Sequence, residues 1–171
     1  MPQNPLILTV TLDEEAEAFF TGLRDAHFPP ERNFLKAHLT LFHHLPPQYP
    51  TLVEELAARC HRQKSMTLEV AGLMNIGKGV AYRLVSEELQ QLHQSLQQQW
   101  QPLLTPQDKQ KLRPHITVQN KVMPAQAKEL ESTLRETFVP FTITGTGLTL
   151  WEYLGGPWKL YQQFSFQPLS V

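Results

Sequence analysis

The sequence predicts an α+β protein made of two similar halves, each a small, mainly antiparallel sheet with helices on its outer face. The two sheets would face a central cleft. A four-residue pattern occurs twice, His38-Leu39-Thr40-Leu41 and His115-Ile116-Thr117-Val118, 77 positions apart. Strand and helix patterns follow one another in the same order around both copies, with offsets of 73 to 77 positions. The period is too long and the copies too few for a solenoid, so an internal duplication is the economical explanation.

The first half is predicted to form a strand, a helix, the first His-Thr strand and a second helix. Apolar residues alternate with threonines over 6–12, which is typical of a half-buried strand. Thr11 and Glu14 resemble a capping box that opens a helix, and two prolines end that helix after residue 27. Thr51 and Glu54 open the next helix in the same way.

A hairpin around Gly77-Lys78-Gly79 would join the halves, and the second half repeats the order of the first. The predicted ranges are 66–75 and 80–85 for the hairpin strands, 89–103 and 124–134 for the helices, and 141–151 and 158–166 for two closing strands. At this length we expect one domain over residues 1–171, with halves of about 1–78 and 79–171.

Composition excludes several classes of protein. Hydrophobic residues make up 41% and charged residues 18%, and the net charge of −1 lacks the basicity of proteins that coat nucleic acid. The N-terminus has no basic segment before its short apolar run, and no stretch has membrane-spanning length, so we expect a cytoplasmic protein that binds no membrane. Cys60 is the only cysteine, which excludes an intramolecular disulfide.

The repeated motif supplies four candidate catalytic side chains. Because strand side chains alternate, His38 and Thr40 face one way and the apolar residues between them the other, and His115 and Thr117 repeat this. An imidazole with a pKa of ~6.5 serves as general base or general acid, and threonine hydroxyls donate hydrogen bonds to phosphate oxygens. The pattern predicts phosphodiester cleavage in a cleft, with the roles of the two histidines left open.

Further residues are candidates for substrate binding. Lys36 and Arg113 each lie two positions before a motif histidine, and Lys109, Lys111 and Lys121 add local positive charge opposed by Asp108. Solvated loop residues are the alternative for each of these. Among the aromatic residues, Trp158 continues the apolar row of Leu160, Phe164 and Phe166, which favours burial. Tyr161 lies on the opposite side and is the candidate for stacking on a base.

Metal binding is the competing chemistry, since His38, His43 and His44 are close in sequence and histidine is a common ligand. However, no Asp or Glu occurs between Arg32 and Thr51 or over 112–122, so a hydrolytic metal site would lack its usual oxygen ligands. We therefore expect neither a metal nor a cofactor.

The motif pair resembles the two-histidine (2H) phosphoesterase superfamily. The strings FLKAHLTLFHHLP at 34–46 and RPHITV at 113–118, with GGPW at 155–158, are similar to its bacterial 2′-5′ RNA ligase family. The resemblance implies a bilobal fold with a central groove and metal-free action on 2′,3′-cyclic phosphates or 2′-5′ linkages of RNA ends or nucleotides. It maps the motif onto His38, Thr40, His115 and Thr117. An arginine that commonly follows a motif in the family is absent, since Leu41-Phe42 and Val118-Gln119 stand there.

Hydrolysis is the expected direction, because the chain has no nucleotide-activating lysine motif. We expect a monomeric enzyme whose partner is an RNA end or nucleotide with a cyclic phosphate. The alternatives are a catalytically silent module that binds nucleotide or RNA, a sensor of cyclic nucleotides, and a purely structural role for the motifs.

Overall fold

The computed structural model describes residues 2–169, which form four α-helices and seven strands. The helices are α1 (Glu14–His27), α2 (Leu52–His61), α3 (Glu87–Trp100) and α4 (Pro124–Thr137). The strands are β1 (Leu6–Leu12), β2 (Leu39–Leu45), β3 (Met66–Asn75), β4 (Val80–Val85), β5 (His115–Gln119), β6 (Phe141–Tyr153) and β7 (Trp158–Ser165). The predicted α+β class with antiparallel pairing is confirmed. Over the described residues, no helix is long and apolar enough to cross a membrane.

The sheet order is β2-β1-β6-β3-β4-β5, with β7 also paired to β6. One edge of the long strand β6 pairs with β1, and the other pairs first with β3 and then with β7. The two predicted sheets are thus two wings of one continuous sheet: a first wing of β2, β1, β6 and β7, and a second wing of β3, β4 and β5. Each wing takes a strand from both halves of the sequence, since β6 completes the first wing and β3 the second.

The helices cover one face of the sheet and also cross between the halves. In the first wing, Phe42 stacks on His93 of α3 with ring centroids 4.7 Å apart and contacts Trp100. In the second wing, Phe20 of α1 meets Tyr82 of β4 edge to face at 5.3 Å, and α4 packs on β3. Burial of these large apolar side chains holds the wings in place and leaves the other face of the sheet open.

The two predicted capping boxes are wrong. Asp13 is the N-cap of α1, because its carboxylate accepts the N–H of Ala16 at 2.9 Å and that of Thr144 at 2.8 Å. Thr11 stays in β1, and the Thr51 hydroxyl donates to Glu55 instead of capping α2. An aspartate just before a helix is a strong N-cap, so it outcompetes the Thr-x-x-Glu pattern that overlaps it.

Both His-Thr strands contain a β-bulge at the fourth position of the motif. Thr9 pairs with Thr40 and Leu8 with Phe42, which leaves Leu41 as the extra residue. In β5 the same shift leaves Val118 unpaired, because Ala81 pairs with Thr117 and Val80 with Gln119. A bulge changes the side on which the following residues point. Phe42 and Gln119 therefore turn away from the face that carries the histidines and towards the helices.

Candidate active site

The curled sheet brings the two motifs together. β2 and β5 lie at opposite ends of the sheet order, yet they contact each other. His38 directly precedes β2 and His115 opens β5. The charge of His115 is among the influences on the pKa of His38, which places both rings in one electrostatic environment. Both histidines are half-buried, and the cavity beside His38 does not have His115 among its lining residues.

Both imidazoles are held by the same backbone contact. Nδ1 of His38 lies 2.9 Å from the carbonyl oxygen of Lys36, and Nδ1 of His115 lies 2.7 Å from that of Arg113. A carbonyl oxygen only accepts, so Nδ1 must carry the proton in each ring. In the neutral form this leaves Nε2 as the basic nitrogen on both rings. The two copies of the motif therefore share the tautomer as well as the residue type.

The surroundings of His38 lower its pKa to about 4, chiefly because burial disfavours the charged ring. The hydrogen bond to Lys36 acts in the opposite direction, while the charges of Arg24, His115 and His43 also lower the pKa. The ring of Trp158 covers the imidazole, with ring centroids 4.5 Å apart. His38 is consequently a neutral base at physiological pH.

The prediction that Trp158 is buried with Phe164 and Phe166 is wrong. In β7, Gln162 pairs with Leu150 and Leu160 with Trp151, so Tyr161 is the extra residue of a bulge. The bulge puts Trp158 on the side of Trp151, against His38. Tyr161 is 40% exposed, and it does not line the cavity beside His38.

A row of hydroxyls forms the floor of this cavity, whose volume is about 440 Å³. Thr9 of β1 pairs with Thr40 on one side and Thr149 on the other, and accepts the indole N–H of Trp151 at 3.0 Å. The Thr11 and Thr149 hydroxyls share a hydrogen bond of 2.7 Å. By contrast, the motif hydroxyls of Thr40 and Thr117 have no hydrogen-bond partner within residues 2–169. Those two hydroxyls are free to donate to a ligand.

The predicted cations lie near the cleft but make few contacts. Lys36 lines the cavity, and its 76% exposed side chain lies 3.5 Å from Glu17, a pairing that contributes little to stability. Arg113 is exposed, and its carbonyl holds His115.

Arg83 is a cation that the sequence analysis missed. It pairs directly with His115 across the β4–β5 ladder, so the two side chains share a face. On its other side lies Gly72, where an added Cβ would lie only 3.3 Å from Nη2 of Arg83. The guanidinium therefore lies across a strand position that has no side chain. Within the described chain it forms no ion pair. The only sequence signal was one charged residue in the apolar run from Val80 to Val85.

Asp108 is a buried carboxylate, although its sequence context indicated a surface charge. It is 2% exposed and accepts the backbone N–H groups of His43, at 2.8 and 3.0 Å, and of His44, at 2.8 Å. Nδ1 of His43 adds a contact of 3.2 Å. Although burial raises the pKa of Asp108, the hydrogen bonds from His43 and His44 lower it overall. Asp108 thus fixes the outer edge of β2 just beyond the first motif.

The chain belongs to the 2′-5′ RNA ligase superfamily, whose family model matches residues 12–157. This confirms the resemblance to the two-histidine phosphoesterases. Curated protein sequences give no significant match. Within residues 2–169, no three His, Cys, Asp or Glu side chains converge as a metal site would require.

Solved structures show the same fold at low sequence identity. TT0787 of Thermus thermophilus superposes with a TM-score of 0.68 at 17% identity, over 97% of this chain and 100% of that one. Escherichia coli LigT in its apo form gives 0.64 at 20% identity, over 98% and 99%. A structure described as a phosphoesterase gives 0.57 at 21%, over 96% and 99%. LigT has also been crystallised with ATP, 3′-AMP, NADP+ and phosphate.

Proposed function

We propose that this protein is a metal-independent phosphoesterase that hydrolyses 2′,3′-cyclic phosphates, or 2′-5′ phosphodiesters, of RNA ends or nucleotides. The observation that carries the proposal is the matched pair of imidazoles, each held through Nδ1 by the carbonyl two residues earlier. Two basic nitrogens of fixed tautomer beside two unpartnered hydroxyls are what acid–base cleavage of a phosphodiester needs. The crystallisation of LigT with nucleotides and phosphate is consistent with such a substrate.

The lowered pKa of His38 supports His38 as the general base, which leaves His115 as the general acid. Neutral His38 takes a proton from water through Nε2 while the water oxygen forms a bond to phosphorus. His115 acts as the general acid and gives a proton from Nε2 to the departing ribose oxygen as the P–O bond breaks. The products are a phosphate monoester and a free ribose hydroxyl. His38 ends with the added proton and His115 without it, so an exchange with solvent restores both.

The hydroxyls of Thr40 and Thr117 donate to the non-bridging phosphate oxygens, where negative charge increases in the transition state. Lys36, Arg113 and Arg83 supply positive charge around the cleft. Arg83 is our candidate to replace the arginine that commonly follows a motif in the family, because it pairs with His115 from the neighbouring strand. Tyr161 remains a candidate for stacking on a base at the margin of the site.

We expect Arg83→Gln to lower kcat/KM by roughly 10- to 100-fold, the loss of one charge-assisted hydrogen bond to phosphate. Arg62→Gln, at an exposed arginine that ends α2, is the matched control and should leave kcat/KM unchanged. Gly72→Ala should produce a smaller loss, since the added methyl group crowds the guanidinium. If Arg83→Gln and Arg62→Gln changed kcat/KM equally, Arg83 would not be a substrate-binding residue.

We expect the acid limb of the kcat/KM profile near pH 4, well below the ~6.5 of an unperturbed histidine, because kcat/KM falls only when His38 becomes protonated. Trp158→Ala should move this limb upwards, since water then reaches the ring and its pKa rises. Leu160→Ala, on the same strand, is the control. The midpoint of this limb should equal the pKa of His38 measured by NMR titration. An acid limb at pH ~6.5 in the wild type would contradict the assignment of His38 as the general base. So would an acid limb that does not move in Trp158→Ala.

The direct test is turnover in excess EDTA. The substrates are the four 2′,3′-cyclic nucleotides, a short oligoribonucleotide with a cyclic phosphate end, and a 2′-5′ linked dinucleotide. We expect ring opening that EDTA does not reduce. Tight binding without turnover would instead support a nucleotide-binding module. Turnover that EDTA abolishes and a divalent metal restores would overturn the metal-independent mechanism.

A further inference from the structure

A second cavity, of about 760 Å³, lies between the end of α1 with its following loop and the turns at the far ends of β4 and β5. We call it the rear pocket. Its polar lining consists of His27, Glu31, Arg32, Lys78, Gln119, Lys121 and Gln126. The bulge at Val118 separates it from the cleft, because Gln119 pairs with the fully buried Val80 and turns to the helix side of the sheet. None of its lining residues belongs to the proposed active site.

Gln119 is the feature that points to a ligand. The residue is 6% exposed, and its amide oxygen is buried with no hydrogen-bond partner. Within residues 2–169 the amide nitrogen has none either. Burying an amide without partners is costly, and native proteins rarely leave one unpaired. The glutamine backbone is packed closely, since a side chain at Gly79 would collide with the Gln119 carbonyl. Gln119 lines the pocket, but its amide oxygen lies beneath the pocket surface with no partner.

The pocket that Gln119 lines also carries positive charge. Arg32, Lys78 and Lys121 are exposed, and in the described part of the chain none of them forms a salt bridge. The only acidic residue of the lining is Glu31. Val122 donates its N–H to the carbonyl of Lys78 at 3.0 Å, so the turns that carry the two lysines are adjacent. α4 begins at Pro124 beside them and directs the positive end of its dipole to the same place.

We propose that the rear pocket is a nucleotide site distinct from the cleft. The phosphate group lies between Lys78 and Lys121 at the start of α4, where charge and dipole both favour an anion. The Gln119 amide turns its buried oxygen to the edge of the base when the nucleotide enters, because an amide offers a donor and an acceptor together. Phe28, Pro29 and Met123 form apolar walls for the base. A free mononucleotide and one residue of an RNA strand share this chemistry.

The test follows the Gln119 side-chain amide of the 171-residue protein by NMR during titration with 5′-AMP and with a short oligoribonucleotide. We expect saturable shifts, and binding at least tenfold weaker in the Lys78→Gln/Lys121→Gln variant. Lys128→Gln, which removes one charge elsewhere on α4, is the control. For the oligonucleotide, the slope of log K against log salt should fall by about 1.4 in the double variant, since each phosphate contact contributes ~0.7. No shift at Gln119, or equal weakening by Lys128→Gln, would overturn the proposal.

The two ligands distinguish the two sources of the phosphate. Stronger binding of the oligonucleotide than of 5′-AMP indicates a strand, and equal binding indicates a free nucleotide. Both results support the site. In a His38→Ala background the shifts at Gln119 should be unchanged, so failure of the phosphoesterase proposal would not affect this one.

Gln119→Met supplies an independent measurement. If the amide is kept for a ligand, removing it should stabilise the free protein, raising Tm by roughly 2–4 °C, while weakening nucleotide binding at the rear pocket. A lower Tm with unchanged nucleotide affinity would show that the amide serves the fold and would overturn its assigned role.

Discussion

Alanine in place of His38 or of His115 is expected to reduce kcat/KM by ~10²–10⁴-fold, the usual contribution of a general acid or base. The effect on stability should be small. Each ring is half-buried and makes one hydrogen bond, to a carbonyl that water can reach once the ring is removed. Steady-state kinetics with a 2′,3′-cyclic nucleotide, together with thermal unfolding of each variant, measures both quantities.

His44→Ala is the matched control, because His44 is an exposed histidine of β2 whose backbone N–H, not its ring, contacts Asp108. The double variant should be little worse than either single one, since the two histidines act in one step. A loss of only a few-fold, or a large fall in Tm with activity retained by the remaining folded protein, would favour a structural role for the motifs.

The sequence was sufficient to predict the two histidines as candidate site residues, because the evidence for them lies within a few neighbouring positions. Strand alternation places His38 and Thr40 on one face, and the second copy of the motif makes coincidence an unattractive explanation. The order of helices and strands was accessible for the same reason. Periodicity and proline positions are read within a short window of residues.

The features that sequence analysis missed depend on pairing between distant residues. A bulge at Tyr161 is set by the register of β7 on β6, and it brings Trp158 to His38. Arg83 becomes a site residue only because β4 pairs with β5 and Gly72 lies beside it. The exchange of β3 and β6 between the wings is likewise a matter of long-range pairing, which no local pattern contains.

The burial of Asp108 could not be predicted from the sequence either. In the sequence it is one acid among several lysines, a context typical of a solvated loop. In the structure Gln97 holds its carbonyl at 2.9 Å, and the loop delivers the carboxylate to the edge of β2. Its ligands are backbone N–H groups, which every residue has, so no residue pattern could have predicted the contact.

Asp108→Asn is expected to lower the free energy of unfolding by about 3 kcal/mol, a fall in Tm of roughly 6–12 °C for a chain of this size. The carboxylate accepts N–H groups from His43 and His44, and an asparagine would direct its own donor at one of them. Because β2 begins directly after His38, a shift of this strand should also lower kcat. Chemical denaturation and kinetics measure the two effects.

Two further variants show whether the His43 ring or the charge of the carboxylate accounts for the effect of Asp108→Asn. His43→Ala removes only the exposed ring and keeps the backbone N–H, so it should cost much less than Asp108→Asn. Asp25→Asn, at an exposed carboxylate that accepts one side-chain hydrogen bond, is the control for the loss of charge. If His43→Ala and Asp108→Asn were equally destabilising, the imidazole and not the strand edge would be the partner that matters.

The pH dependence gives the sharpest form of this prediction. The folded-state pKa of Asp108 lies below its unfolded value of ~3.9, so the unfolded chain takes up the proton first as pH falls. The contribution of the carboxylate is therefore complete above about pH 3.9 and is lost as pH falls through the folded-state pKa. The stability difference between wild type and Asp108→Asn should be constant near neutrality and should narrow on acidification. A difference that stayed constant throughout would mean that shape, and not charge, makes Asp108 necessary.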